Sequence, residues 1–178
     1  MKPRTARLAA SRRSAVEPFL AMDVLREAGV LEAQGRSVMH LEVGEPGAPP
    51  PAPVRAAAIA ALQGGRVGYT DALGRASLRA RIARHYGETY NVDLAPQRVV
   101  VTTGSSGGFI LSSLALFDAG DRVAVAAPGY PAYVNILEAL GCVCLPLETT
   151  AATRHAVTAE MIEAAHREHP LKGVLPMS

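Results

Sequence analysis

A turn rich in glycine and hydroxyl groups, VTTGSSGGF at residues 101–109, separates an apolar run from a helix-like one. Between a strand and a helix, such a turn directs free backbone N–H groups at an anion, and the partial positive charge of the helix N-terminus favours that anion. Gly104 permits a sharp turn, while Ser105 and Ser106 supply hydroxyl donors. These residues indicate phosphate binding, and a plain serine-capped turn explains them equally well.

Two nucleotide-binding motifs share part of this pattern. The spacing Thr103-Gly104-x-x-x-Gly108 is similar to the nucleotide turn of short-chain dehydrogenases, but Ile110 stands where that turn has a further glycine. The turn also lies deep in the chain, whereas the dehydrogenase turn follows the first strand. A Walker loop has a different spacing and a lysine after it. Both nucleotide interpretations are therefore weakened.

Regular alternation of strand and helix patterns surrounds the turn. Strands are predicted over residues 37–43, 98–102, 122–126, 142–147 and 173–176, and helices over residues 17–34, 54–62, 76–86, 106–117, 132–140 and 159–168. Thr158 is expected to cap the last helix. Strands that alternate with helices favour parallel pairing, so the fold class is predicted to be α/β with a mostly parallel sheet.

The composition restricts the kinds of partner. The 178 residues are 49% apolar and 19% charged, which favours an ordered domain with a core. The net charge of +2 is too small to indicate nucleic acid or an acidic membrane as a partner, and no apolar run is long enough to span a bilayer. Cys142 and Cys144 are interpreted as buried thiols of a reducing compartment rather than as metal ligands, and we expect a cytoplasmic location.

Three further motifs accompany the glycine turn. They are LEVGEPGAPPP (residues 41–51), GYTDALGRASLR (residues 68–79) and DAGDRVAVAAPGYPAY (residues 118–133). In this order, the four motifs resemble the N-terminal part of a class I/II, fold-type I aminotransferase that depends on pyridoxal 5'-phosphate. The resemblance covers nearly the whole chain. It implies a partial three-layer sandwich, with residues 1–36 as tail and helix of the small domain and dimer arm, and residues 37–178 as the N-terminal half of the cofactor-binding domain.

The resemblance assigns roles to the aromatic and glycine residues of these motifs. Gly104, Ser105 and Ser106 are implied to hold the cofactor phosphate. Tyr130 is implied to stack on the cofactor ring, with Tyr133 as the competing candidate and a surface tyrosine as the structural alternative.

The first two motifs carry further implied roles. Tyr69 is implied to reach the phosphate of the other subunit in a homodimer, and Gly44 to leave room beside the substrate carboxylate. The alternatives are a tyrosine that packs on a helix and a glycine needed for its backbone angles. Arg79 and His85 are interpreted as a solvated or capping charge and a surface residue, and neither receives a catalytic role.

Transamination requires a lysine that forms a Schiff base with the cofactor. Only Lys2 and Lys172 are present, in the basic tail and before the last predicted strand, at the edge of the sheet opposite the phosphate turn. We expect the chain to be truncated, with the catalytic lysine beyond Ser178, and to be inactive alone. No residue of this chain is assigned a catalytic role.

The function implied is amino transfer between an amino acid and a 2-oxo acid by a homodimer. The alternatives are an inactive fragment or a non-catalytic module with a cofactor-like site, and, less favoured, a nucleotide-dependent oxidoreductase.

Overall fold

The computed structural model describes residues 9–65 and 68–176. Its helices are α1 (Leu20–Ala33), α2 (Ala52–Gly64), α3 (Ala76–Tyr90), α4 (Gly104–Leu116), α5 (Pro131–Ala139) and α6 (Ala159–Glu168), with short 3-10 turns at Arg12–Ser14, Pro96–Arg98 and Ala151–Thr153. Its strands are β1 (Arg122–Ala127), β2 (Val143–Glu148) and β3 (Gly173–Leu175). Two compact units divide the chain. We call residues 31–108 the helical unit, and residues 1–30 with 109–178 the sheet unit.

The sheet unit contains a parallel sheet of order β2-β1-β3 within the described residues. Arg122 of β1 is in register with Val143 of β2, and Val123 with Gly173 of β3. Parallel strands need a crossover connection, and α5 and α6 provide it in the two successive β-α-β steps. The prediction of an α/β fold with a parallel sheet is confirmed.

The core of the sheet unit forms around the central strand. Val123 of β1 and Leu137 of α5 are completely buried, and Phe109 and Phe117 pack against them. A Cβ atom at Gly173 would lie 2.6 Å from the Phe117 ring, so the glycine allows β3 to pass close beneath that side chain. Burial of these side chains fixes the sheet whose carboxyl end leads into Tyr130.

Two of the predicted strands are absent from the described structure. Residues 98–102 carry β-branched side chains, and the backbone of Val99 is extended. Val101 makes one backbone hydrogen bond to another segment, in which its N–H donates to the Leu73 carbonyl at 3.0 Å. An extended segment becomes a strand only when a neighbour supplies a ladder, and no described segment does so. Residues 37–43 also lack a ladder, and Met39 and Leu41 are exposed.

The helix boundaries follow the local signals more closely. Helix α6 has the predicted limits, and the Thr158 hydroxyl accepts a hydrogen bond from the Met161 N–H at 3.4 Å, which confirms the predicted cap. Helix α3 continues past the predicted end to Tyr90, where Asn91 adopts a left-handed conformation that stops it. Gly87 therefore lies within the helix. Among the described helices, none combines the length and apolar character that crossing a bilayer requires.

The two thiols are free, as expected, with Cys142 buried and Cys144 half-buried. Burial raises the pKa of the Cys144 thiol from 9.0 to about 11, and the Glu138 carboxylate and the Cys142 thiol add to the effect. Burial also raises the pKa of Cys142.

We expect these thiols to alkylate slowly at pH 8 in the folded protein, because the thiolate is the reactive form. A pKa two units above normal leaves roughly 100-fold less thiolate at Cys144. The measurement is the rate of iodoacetamide labelling at each cysteine by mass spectrometry, with the protein in denaturant as the control. Equal rates in the folded and denatured protein would contradict the burial of Cys144.

Candidate functional site

The glycine turn forms the N-terminus of α4 within the helical unit. Gly104 begins the helix with φ +77°, a left-handed conformation that glycine adopts without strain. Its N–H donates to the Thr102 carbonyl at 2.9 Å, and the Thr102 hydroxyl donates to the Gly104 carbonyl at 2.8 Å. A Cβ at Gly104 would meet nothing within 4 Å, so backbone conformation rather than space requires the glycine.

The next two glycines lie where little space remains for a side chain. A Cβ at Gly107 would lie 3.0 Å from the Thr103 hydroxyl oxygen, and one at Gly108 would lie 3.3 Å from that of Thr102. The first turn of α4 can therefore pack directly against these two threonines. A Cβ at either glycine would require the threonine side chain that it meets to shift by a few tenths of an ångström.

The exposed side of this turn carries hydrogen-bond donors and no negative charge. Ser105 and Ser106 are exposed, and the first turn of α4 contains no acidic residue. Neither serine hydroxyl makes a hydrogen bond within the described part of the chain. The N–H groups of a first helical turn have no partner within the helix. Hydroxyls and amides at the positive end of a helix fit a phosphate group. Ser105 and Ser106 therefore suit the cofactor phosphate that the sequence resemblance implies.

Tyr130 lies in the sheet unit, directly after the carboxyl end of β1, at the N-cap position of α5. Its ring makes T-shaped contacts with Phe19 at 5.7 Å and with Tyr133 at 5.2 Å, and it is 44% exposed. Tyr133 is less exposed, and its ring lies 4.6 Å from the Phe109 ring. Neither of these two neighbours of Tyr130 stacks parallel to it. Tyr130 is thus the more exposed of the two tyrosines, and its role beside a flat ligand remains a prediction.

Tyr69 and Gly44 are both exposed in the helical unit. The Tyr69 side chain is fully exposed at the edge of an open cleft that Leu62, Gly65 and Thr70 also line. The alternative of a ring packed on a neighbouring helix therefore gains no support within the described residues. A Cβ at Gly44 would meet nothing within 4 Å. Packing therefore gives no reason for glycine at this position.

Arg79 differs from the sequence expectation. It is only 9% exposed, donates from Nε to the Pro96 carbonyl at 3.2 Å, and lies 3.7 Å from the Asp71 carboxylate. The interpretation as a solvated charge is wrong, because α3 turns this side chain towards the Pro96 segment. The acid eight residues earlier in the same motif was the available signal. His85 is exposed, as expected, with its ring near those of two tyrosines.

Lys172 lies at the amino end of the sheet, as expected. Its backbone N–H donates to the carbonyl of Arg122, the first residue of β1, at 2.8 Å, and the residue is exposed. The β1 strand separates this position from its carboxyl end, where Tyr130 follows.

His40 joins the segment before Gly44 to two carboxylates. Its Nδ1 lies 2.6 Å from Glu42 Oε1 and its Nε2 lies 3.0 Å from Glu32 Oε1, while the other Glu42 oxygen accepts from the Leu41 N–H. The hydrogen bond to Glu42, and then that to Glu32, raises the pKa of His40 from 6.5 to about 9. The same contact lowers the pKa of Glu42.

We expect this contact to depend on pH. The pKa of His40 is higher in the folded protein, so its stabilisation is present at pH 6.5 and is lost as the pH rises through about 9; the contact is also lost in acid, where the Glu42 carboxylate becomes protonated. NMR titration of the His40 ring measures this pKa, which Glu42→Gln and Glu32→Gln should each lower. Glu45→Gln is the control and should leave it unchanged. An unshifted His40 pKa in both test variants would contradict the contact.

The parallel sheet with crossover helices places the protein in the α/β class to which the large domains of pyridoxal-phosphate-dependent transferases belong. The family model described as "Aminotransferase class I and II" matches residues 36–176. The chain belongs to this family, whose members depend on pyridoxal phosphate.

Individual relatives agree with this assignment. The chain is 47% identical over 166 residues to a valine–pyruvate aminotransferase of Mycobacterium tuberculosis, covering 93% of this chain and 42% of the relative. It is 40% identical to an aspartate aminotransferase of Thermotoga maritima, covering 64% and 30% of the two chains. A solved aminotransferase structure from Mycobacterium tuberculosis is similar with a TM-score of 0.87 at 46% identity, covering 93% of this chain and 42% of that one. The chain therefore spans less than half the length of these relatives.

Proposed function

We propose that this chain is the N-terminal, cofactor-binding part of an aminotransferase that transfers an amino group between an amino acid and a 2-oxo acid. The observation that carries the proposal is the exposed N-terminus of α4, where Ser105 and Ser106 present hydroxyls and helix amides together. Within a class I and II aminotransferase, an anion-binding turn of this kind suits the phosphate of pyridoxal phosphate. The longer protein to which we assign the chain is called the full-length protein below.

The roles of the individual residues in this proposal follow from their chemistry. The N–H groups and hydroxyls of Ser105 and Ser106 hold the phosphate and fix its position, while Gly104, whose own N–H donates to the Thr102 carbonyl, provides the sharp turn. The Tyr130 ring covers one face of the bound cofactor and keeps water from it. Gly44 leaves room for the substrate carboxylate. When bound, the cofactor supplies an electron sink for the amino acid's α-carbon.

The proposal includes a homodimer. Tyr69 is fully exposed on its own subunit, which suits a phenol that donates to a phosphate held by the other subunit. Residues 1–36 are proposed to form the tail and helix of the small domain and dimer arm, and residues 37–178 the first half of the large domain. Two free thiols favour a reducing compartment, and we propose the cytoplasm.

The lysine that bonds the cofactor is proposed to lie in the part of the relatives that this chain does not match. Lys172 is exposed at the amino end of the sheet, away from the strand end that leads to Tyr130. We therefore propose that the 178 residues alone have no transaminase activity. Incubation with pyridoxal phosphate and borohydride, followed by peptide mapping, tests this, with Lys172→Arg as control. Labelling at Lys172 that this substitution removes, together with activity of the chain alone, would refute the proposal.

The activity itself is tested in the full-length protein. Valine and pyruvate are the first substrate pair to assay, because the relative that carries this name in Mycobacterium tuberculosis shares 47% identity over 93% of the chain. Aspartate is the comparison donor, since the aspartate aminotransferase relative from Thermotoga maritima shares 40% identity. Formation of alanine from pyruvate supports the proposal. Absence of amino transfer with a panel of amino acids in the cofactor-loaded protein would support the alternative of a non-catalytic module.

The oxidoreductase alternative has a simple discriminating measurement. Soaking the protein with pyridoxal phosphate is expected to give a bound absorbance band, and soaking with NADPH is expected to give none. The family match supports this expectation, since it covers residues 36–176 and includes the glycine turn.

A further inference from the structure

Taken as a whole residue, Arg79 is the one charged residue that is buried among the described residues, and its contacts join three segments of the helical unit. From α3, its Nε donates to the Pro96 carbonyl at 3.2 Å, and its Nη1 lies 3.7 Å from the Asp71 carboxylate. A buried guanidinium is costly unless it is paired and hydrogen-bonded. A buried ion pair adds little net stability, but it can specify one arrangement of the segments it joins.

Asp71 organises the loop that carries Tyr69. Its carboxylate Oδ1 accepts from the Leu73 N–H at 3.4 Å, and its carbonyl accepts from the Gly74 N–H at 2.8 Å. The second carboxylate oxygen is the one nearest to Arg79. Asp71 therefore closes a tight turn two residues after Tyr69, and Arg79 balances the charge of that turn.

The same turn is attached to the segment that leads into the glycine turn. The Leu73 carbonyl accepts from the Val101 N–H at 3.0 Å, and a Cβ at Gly74 would lie 2.7 Å from the Val101 side chain. Arg79 holds the start of this segment through Pro96. The Tyr69 loop and the segment that leads to Gly104 are therefore joined in two ways. The Val101–Leu73 hydrogen bond links them directly, and Arg79 contacts both through Asp71 and Pro96.

We propose that Arg79 is a positioning residue that, through Asp71 and Pro96, sets the Tyr69 loop and the residue 104–106 turn in one fixed arrangement for phosphate binding. The inference rests on the proposed function, in which the 104–106 turn holds the cofactor phosphate of its own subunit and Tyr69 donates to that of the other subunit. It adds a residue that touches no ligand itself. Arg79 makes these two contacts because its planar guanidinium reaches a carbonyl and a carboxylate in different directions at once. A lysine ammonium on a single stem cannot reproduce both.

The test uses the full-length protein and measures the dissociation constant of pyridoxal phosphate with the apo-enzyme. Arg79→Lys is expected to raise this constant roughly tenfold. Substitution of residues that orient a binding group without contacting the ligand typically has an effect of this size. Asp71→Asn is the second variant, because its side chain is 64% exposed and the change keeps the shape while it removes the charge. Arg84→Lys is the matched control, an exposed arginine on the same helix, and should change nothing.

A double-mutant cycle with Tyr69→Phe separates positioning from general stability. If Arg79 acts through the Tyr69 loop, its effect on cofactor binding shrinks to less than about twofold in the Tyr69→Phe background. Hydrogen exchange at the Val101 amide in the apo-protein is the second readout and should become faster in Arg79→Lys and Asp71→Asn.

The outcomes separate the positioning role of Arg79 from the phosphate-binding role of Tyr69. Non-additive losses of affinity with faster Val101 exchange support the inference. A loss of affinity in Tyr69→Phe with unchanged affinity in Arg79→Lys and Asp71→Asn, or with strictly additive effects, overturns the positioning role and leaves the role of Tyr69 standing. Unchanged affinity in Tyr69→Phe overturns that part of the proposed function, and the positioning role with it.

Discussion

Gly74→Ala is expected to lower the free energy of unfolding by about 3 kcal/mol, because the added Cβ both strains the backbone and clashes with Val101. Gly74 has φ +95°, a conformation that an alanine adopts only with strain. The added Cβ would also lie 2.7 Å from both Cβ and Cγ2 of Val101, where the Leu73 carbonyl holds the Val101 N–H at 3.0 Å. Neither chain can move away without breaking that hydrogen bond.

Chemical denaturation of the full-length protein measures this loss. Gly47→Ala is the matched control, since a Cβ there meets nothing within 4 Å and its φ is not in the left-handed range. It should change stability by less than about 0.5 kcal/mol. In a Val101→Gly background the steric cost disappears and the backbone cost remains, so Gly74→Ala should lose about 1 kcal/mol there. Equal stability of Gly74→Ala and the parent protein would contradict the close approach of the two segments.

Ser106→Asp is expected to weaken binding of pyridoxal phosphate at least roughly 100-fold, because a carboxylate and a phosphate about 4 Å apart repel each other by several kcal/mol. The change also removes a hydroxyl donor from the turn. Its effect on folding should be small or favourable, since an acid in the first turn of a helix interacts well with the helix dipole. Lost binding with retained stability would therefore report on the ligand and not on the fold.

The control for this variant is Ser112→Asp, an exposed serine six residues further along α4. It adds the same charge to the same helix away from its N-terminus and should leave cofactor affinity nearly unchanged. Equilibrium titration of the apo-protein, followed by the absorbance of the bound cofactor, measures both variants. Equal affinities for Ser106→Asp and Ser112→Asp would contradict the proposed location of the phosphate at the start of α4.

Elements fixed by local signals could be predicted from the sequence. Thr158 begins α6 because its hydroxyl caps the helix, and the parallel strands β1, β2 and β3 follow from buried apolar runs separated by helices. Residues 98–102 could not be predicted in the same way, because a strand needs a partner and a β-branched sequence does not reveal whether one is present. The prediction of a strand at residues 37–43 was wrong for the same reason.

In the candidate site too, features that depend on local sequence could be predicted and those that depend on distant contacts could not. The glycine turn is visible in the sequence because Gly104 and the serines act through their own backbone and hydroxyls. The burial of Arg79 is not visible, since it depends on the Pro96 carbonyl seventeen residues away and on the direction in which α3 turns that side chain. The roles of Tyr130, Tyr69 and Gly44 remain predictions that ligand-bound experiments will decide.

The polar turn at the start of α4 has neither acid nor base between Thr102 and Gly108. Amides and serine hydroxyls do not ionise across the physiological range, so the proposed hydrogen bonds from this turn to a phosphate have donors that stay unchanged from mildly acidic to alkaline solution. Any change in affinity with acidity that arises at this turn must then come from the ligand, whose phosphate dianion takes up one proton near pH 6 and becomes a monoanion. An enzyme with a lysine in this place would also lose attraction when that lysine deprotonates, and this chain is built without that sensitivity.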